Sequence, residues 1–138
     1  MTPPTSTEFF TLSELTGGEP DSAPAPVRHA LENLMLWVLD PWRRRIGRLR
    51  VNSAWRTPEQ NAAAGGEPSS QHLTGEAADV KPLDATLDAA WTALRGLPVD
   101  QAIRYPTHIH VSHGPRGRKH YYRRGGEGEK KYVRIAAP

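Results

Sequence analysis

An α+β fold, with helices packed on one side of a small and largely antiparallel sheet, is what this chain predicts. Three observations lead there. Apolar residues recur in steps of three and four from Val27 to Trp42, which makes one face of an amphipathic helix. Short strand-like stretches follow it, and two further short helices, each with its own capping residues, interrupt them. At 138 residues the chain suits one domain and can bury a core without covalent staples.

Residues 1–26 are rich in Pro, Ser, Thr and Gly and read as an irregular arm, with "FFTLSEL" (9–15) as a short apolar anchor. The domain proper spans 27–138. Its first helix carries Val27, Ala30, Leu31, Leu34, Met35, Val38, Leu39 and Trp42 on one face. Pro26 fits the first turn, and Pro41 should kink or restart the helix. "GRLRVNSAW" (47–55) alternates and reads as a strand. "TPEQNAAAGG" (57–66) reads as a helix with Thr57 as N-cap, Pro58 in the first turn, Gln60 completing a capping box and a Gly-Gly stop. A loop at 67–76 leads into a strand at "AADVKP". Asp84 is expected to cap a helix carrying Leu87, Ala90, Trp91 and Leu94, closed by Gly96. Residues 99–105 and 108–113 read as two adjacent strands. Residues 116–131 read as a polar excursion, and 132–136 as a last edge strand.

Charge and composition narrow the function. There is no cysteine, so disulfides, thiol catalysis and Cys-ligated zinc are excluded, while the redox compartment stays open. The start lacks the basic and apolar regions of a signal peptide. No apolar run approaches the roughly 18 residues of a membrane span. Synthesis in the cytoplasm is therefore expected. The formal charge of +3 is uneven: residues 116–134 hold eight Lys/Arg and two Glu, so the rest of the chain is net acidic. That basic C-terminal segment could meet an anionic wall polymer, nucleic acid or only water. Tyr121 and Tyr122 lie within it, yet no nucleic-acid module signature accompanies them, so nucleic acid is not the expected partner.

Six histidines are present, and three fall in "HIHVSH" (108–113). His108 and His110 are two apart and share a strand face, whereas His113 faces the other way on a regular strand. In "SSQHLTGEAADV" (69–80), His72 precedes Asp79 by seven residues. Two imidazoles and a carboxylate match the three protein ligands plus open position of a catalytic zinc site. A surface histidine, an HxH pair and a capping Asp also occur without metal, and spacing alone leaves both readings open.

These two stretches resemble the signature of the zinc D-Ala-D-Ala carboxypeptidase family, in its compact phage-like branch. The wider superfamily includes lysostaphin-type peptidases and the hedgehog signalling domain. Ser70, His72, Gly75, Ala77 and Asp79 fill the family's S-x-H-x-x-G-x-A-x-D pattern, and His110, followed by Val111 and Ser112, fills its later His-bearing strand. "RVNSAWRTPEQNAAAGG" resembles the family's strand, Arg-bearing turn and helix, and the likeness runs over about residues 9–113. The resemblance implies a hedgehog-like or D-Ala-D-Ala-peptidase-like fold and zinc held by His72, Asp79 and His110. It implies that Arg56 meets a substrate carboxylate or carbonyl, as suits a guanidinium fork, although pairing with a nearby acid is its alternative role. Ser70 is expected to bond within the loop, seat Asp79 or touch substrate. Gly75 is expected to allow a turn that a Cβ would obstruct.

The chain departs from the family at the proton-transfer position. Carboxypeptidase members carry Asp or Glu three residues before the third ligand, and the hedgehog-like arrangement has Glu six before it. Here those positions are Thr107 and Arg104. His108 is the expected substitute, with Glu76 and Glu67 as alternatives. The implied function is a zinc peptidase acting on the peptidoglycan stem peptide next to a D-amino acid, as a carboxypeptidase or an endolysin-type endopeptidase. Its implied setting is release by a holin, or a place in a virion. A zinc-containing wall-binding module that has lost catalysis is the alternative. A monomer is expected.

Overall fold

The apolar stripe of residues 27–42 does fold as one continuous helical segment, which carries on past Pro41. Helix α2 (Ala25–Leu34) passes through a π-helical turn (Met35–Leu39) into α3 (Asp40–Ile46). Pro41 therefore does not restart the helix, contrary to one of the two effects expected from sequence. Proline cannot donate to the preceding turn and its ring crowds it. The wider π turn absorbs this, with the Asp40 N–H bonded to the Met35 carbonyl five residues back.

The computed structural model describes residues 6–125 and 132–138. The N-terminal arm packs through α1 (Leu12–Leu15), where Phe10, Leu12 and Leu15 are buried. The buried Asp40 carboxylate ties the arm down, accepting from the Thr7 hydroxyl at 2.8 Å and the Glu8 N–H at 3.2 Å. Thr57 caps α4 (Pro58–Ala63) with the expected capping box. Helix α5 (Leu87–Thr92) is capped by Thr86, not by Asp84. Asp84 instead accepts from the Arg48 N–H at 2.7 Å and the Arg48 guanidinium at 2.8 Å, closing the turn at Gly47.

Six strands form one sheet in the order β1-β2-β4-β3-β5-β6. They are β1 (Leu49–Ser53), β2 (Ala77–Pro82), β3 (Gln101–Arg104), β4 (Ile109–Ser112), β5 (His120–Arg124) and β6 (Tyr132–Ile135). The polar excursion expected at 116–131 thus contains a strand, β5. It pairs parallel with β3, whereas every other pairing is antiparallel. The last six residues of that segment, 126–131, lie outside the described residues.

The period of two divides the sheet into unlike faces. Ala78, Val80, Ala102, Ile109, Val111 and Tyr121 join Leu31, Leu34, Val38, Trp42 and Trp91 of the helices, and Leu94 just after α5, in one buried cluster. The helices α2, α3 and α5 thus cover one face, and the other carries the polar residues.

Candidate metal centre

Asp79 and His110 stand directly opposite each other on β2 and β4. Their neighbours Ala78 and Val111 point into the core, so both polar side chains must point to the open face. His72 comes from the loop after α4 and is 3 % exposed. Its Nδ1 lies 2.6 Å from the Ala54 carbonyl. A carbonyl only accepts, so Nδ1 carries the proton and Nε2 presents a lone pair. That Nε2 lies 3.4 Å from Asp79 Oδ2, and His110 Nδ1 lies 2.9 Å from Asp79 Oδ1. One ligand atom from each of the three residues falls within 4.8 Å of the others.

Burial pushes the Asp79 carboxyl upward, but the hydrogen bond from His110 and the neighbouring His72 imidazole outweigh it and hold the group well below the ordinary carboxylate range. Asp79 is therefore an anion at neutral pH. Two imidazole nitrogens and a carboxylate oxygen are the borderline donors that zinc prefers, and the cleft leaves a fourth side open. The bond from His72 to a backbone carbonyl is the outer support that fixes a ligating imidazole's tautomer. The residues present fit a zinc ion.

The other predicted residues divide. A β-bulge between Val51 and Ser53 places Ser53, not Asn52, opposite Asp79. Ser53 Oγ then accepts from Arg56 Nε at 3.0 Å, and Arg56 Nη2 reaches Asp79 Oδ2 at 3.2 Å. Arg56 is thus at the site, in its alternative role as partner of a nearby acid. Ser70 stays within its loop, its Oγ accepting from the His72 N–H at 3.3 Å. His108 lines the same cleft as His72, Asp79 and His110. Its ring stacks on Tyr105 with centroids 4.5 Å apart, and its Nδ1 meets the Thr107 hydroxyl at 3.0 Å. His113 turns away, bonded through Nδ1 to the Pro98 carbonyl at 2.7 Å. Arg104 has the parity of Ala102, on the helix-covered face, and pairs there with Asp88 of α5. Glu67 and Glu76 both line the cleft, and the Glu76 carboxylate accepts the Thr74 hydroxyl at 2.5 Å.

A comparison with protein families matches Peptidase M15 over residues 8–112. The chain belongs to the Peptidase M15 family. This is the zinc D-Ala-D-Ala carboxypeptidase type of peptidase, so the resemblance read from the two motifs holds, and the fold agrees with it. Membership makes the chain a metallopeptidase by family, and its His-Asp-His cluster is compatible with that. No curated protein matches the chain. Strands β5 and β6 lie beyond the matched M15 segment.

Sequence reasoning missed the residue that joins the two parts. Asp100 is fully buried at the start of β3. Its carboxylate accepts from Arg118 Nε at 2.8 Å and Nη2 at 2.9 Å, from the Arg118 N–H at 3.0 Å, and from Gln71 Nε2 at 2.8 Å. These bonds, Arg118 foremost, hold the Asp100 carboxyl far below its ordinary value. The loop carrying His72 and the segment leading into β5 are thereby fastened to one carboxylate of the M15 core. Tyr105, which backs His108, was also missed.

Proposed function

We propose that this M15 chain is a zinc-dependent peptidoglycan peptidase that hydrolyses a stem-peptide bond next to a D-amino acid. The observation that supports it most is the convergence of His72, Asp79 and His110 at an open cleft of about 1190 Å³. His72, Asp79 and His110 would hold the zinc ion, which would supply Lewis acidity toward a carbonyl and toward a water near neutral pH.

The chain's own groups do the rest. His108 takes the place of the family carboxylate. Burial pushes its pKa down, against the upward pull of Asp79, so it stands neutral and able to accept a proton. With Nδ1 beside the Thr107 hydroxyl, Nε2 is the atom that receives the proton and returns it to the leaving amine. Arg56 holds Asp79 as an anion in position and offers its remaining guanidinium edge to a substrate carboxylate. Ser70 keeps the His72 backbone in place. The active-site wall from β2 and β4 is rigid sheet, which suits a residue set that must hold its spacing.

The acting place is the cell wall, reached by holin-type release or as a virion part, and the basic residues of 116–134 favour contact with an anionic wall polymer. A second reading is a zinc-containing wall-binding module without catalysis. Thr107 and Arg104 at the two carboxylate positions favour it, the latter because its side chain points toward α5.

The deciding experiment is mass spectrometry of purified peptidoglycan fragments incubated with zinc-loaded protein, beside EDTA-treated protein and a His72→Ala variant. The expected result is cleavage that both controls abolish. Loss of one terminal D-Ala identifies a carboxypeptidase, and split stems or cross-links identify an endopeptidase. Unchanged fragments across several peptidoglycan types, with zinc still bound, would establish the binding module instead.

A further inference from the structure

The open face of the sheet carries a second row of side chains beside the metal ligands. Parity and register set it out: Tyr105 is two residues beyond Ile103, Arg124 is two beyond Tyr122, and Arg124 pairs with Tyr132 across β5 and β6. His108, Tyr105, Arg124 and Tyr132 therefore form one line across the sheet, and all four line the cleft. The line is built by contact. His108 stacks on Tyr105, with planes 8° apart. Tyr105 and Tyr132 bring their hydroxyls to 3.3 Å. Arg124 donates from Nη1 to the Tyr132 hydroxyl at 2.9 Å, and its guanidinium carbon lies 4.9 Å from the Tyr132 ring centroid and 5.8 Å from that of Tyr105.

Arg124 differs from Arg56, Arg104 and Arg118 in what holds it. Arg56 pairs with Asp79, Arg104 with Asp88 and Arg118 with Asp100. Among the described residues the groups that hold Arg124 are neutral phenols. Tyr105 does not neutralise it, because burial and the Tyr132 hydroxyl push the Tyr105 phenol up to about 12. A half-buried guanidinium, held in place by aromatic rings, keeps its charge and part of its donor fork for a ligand. The complementary group is a carboxylate. Two strand spacings, about 10 Å, separate β5 from β4 and its ligand His110. A peptide residue extends about 3.5 Å, so the carboxylate sits about two or three residues from the reacting bond.

We infer that Arg124, framed by Tyr105 and Tyr132, is a subsite that selects stem peptides carrying a free carboxylate two or three residues from the scissile bond. The inference rests on the proposed action on stem peptides and adds to it a specificity that the family match does not assign, since β5 and β6 lie outside residues 8–112.

The test is binding of two soluble stem pentapeptides, identical except that the internal carboxylate is free in one and amidated in the other. Affinities are read by NMR titration with metal-free and with zinc-loaded full-length protein. The free form should bind about tenfold tighter, a difference that Arg124→Gln removes and Arg124→Lys retains in part. Equal affinity of the two peptides for the unmodified protein overturns the inference. So does an Arg124→Gln variant that weakens both peptides alike, or tighter binding of polyglycerol phosphate than of the free peptide at Arg124. Hydrolysis of both peptides is followed in parallel with zinc. Discrimination without cleavage would sink the peptidase reading and leave the subsite standing, and cleavage without discrimination would do the reverse.

Discussion

His108 faces the cleft from the turn between β3 and β4, with Tyr105 flat against its ring. In the mechanism proposed above it is the group that moves the proton, and the Thr107 hydroxyl lies 3.0 Å from its Nδ1. Replacing His108 by Ala should lower kcat by about 10²- to 10⁴-fold, the usual loss when a positioned acid-base group is removed. Zinc content, measured by atomic absorption, should stay at one per chain, because His108 is not among the three converging residues. Loss of zinc in parallel with activity would assign His108 to the metal instead. At this scale the sequence was readable where local spacing sets direction. His72, Asp79 and His110 sit in two motifs, and alternation on β2 and β4 places two of them on one face. Asp100 was not readable, because its partners Gln71 and Arg118 are 29 and 18 residues away and no pattern links them.

Between residue and molecule, the loop from α4 to β2 explains how His72 reaches the sheet at all. Gly75 adopts a φ of +76°, and a Cβ there would lie 2.7 Å from the Val27 carbonyl and 2.9 Å from the Val27 side chain. The loop is thus pressed against the start of α2, with the Glu76 N–H bonded back to the Gln71 carbonyl at 2.9 Å. Gly75→Ala combines a left-handed backbone with a collision against backbone oxygen, and should cost at least about 2 kcal/mol in urea unfolding. Its zinc affinity should fall as well, since His72 and Asp79 flank the distorted turn; an unchanged zinc titration would show that the loop's shape does not set the ligand spacing. The glycine is legible in the sequence as a position of the S-x-H-x-x-G-x-A-x-D pattern, and the turn is what that resemblance implies. Strand β5 is not legible, since "HYYRR" offers one core residue, Tyr121, among polar neighbours, and only docking on β3 makes it a strand.

For the whole molecule, the M15 core and the β5–β6 extension are held together by a parallel seam that begins at a buried charge. Asp100 stands at the head of β3, its backbone bonded to the Ser112 carbonyl on one side and to the His120 N–H on the other. Its carboxylate grips Arg118 just before β5. Asp100→Asn leaves Arg118, which is 30 % exposed, without its counter-charge. Breaking a fully buried pair costs about 3 to 5 kcal/mol, and partial exposure of the arginine reduces this to about 2 to 3 kcal/mol. The pH dependence has a fixed sign. The folded-state pKa of Asp100 is depressed, so its contribution is complete above the unfolded value of about 3.9 and is lost as pH falls toward the lower folded value. The stability gap between the protein and Asp100→Asn should therefore be constant from about pH 5 to 8 and narrow progressively below about pH 4. Urea unfolding at a series of pH values measures it. A gap that persists unchanged at pH 3 would mean that shape and hydrogen bonding, rather than charge, fasten the extension to the core. A gap that narrows would make one carboxylate the common anchor of the metal loop and of the strand bearing Arg124.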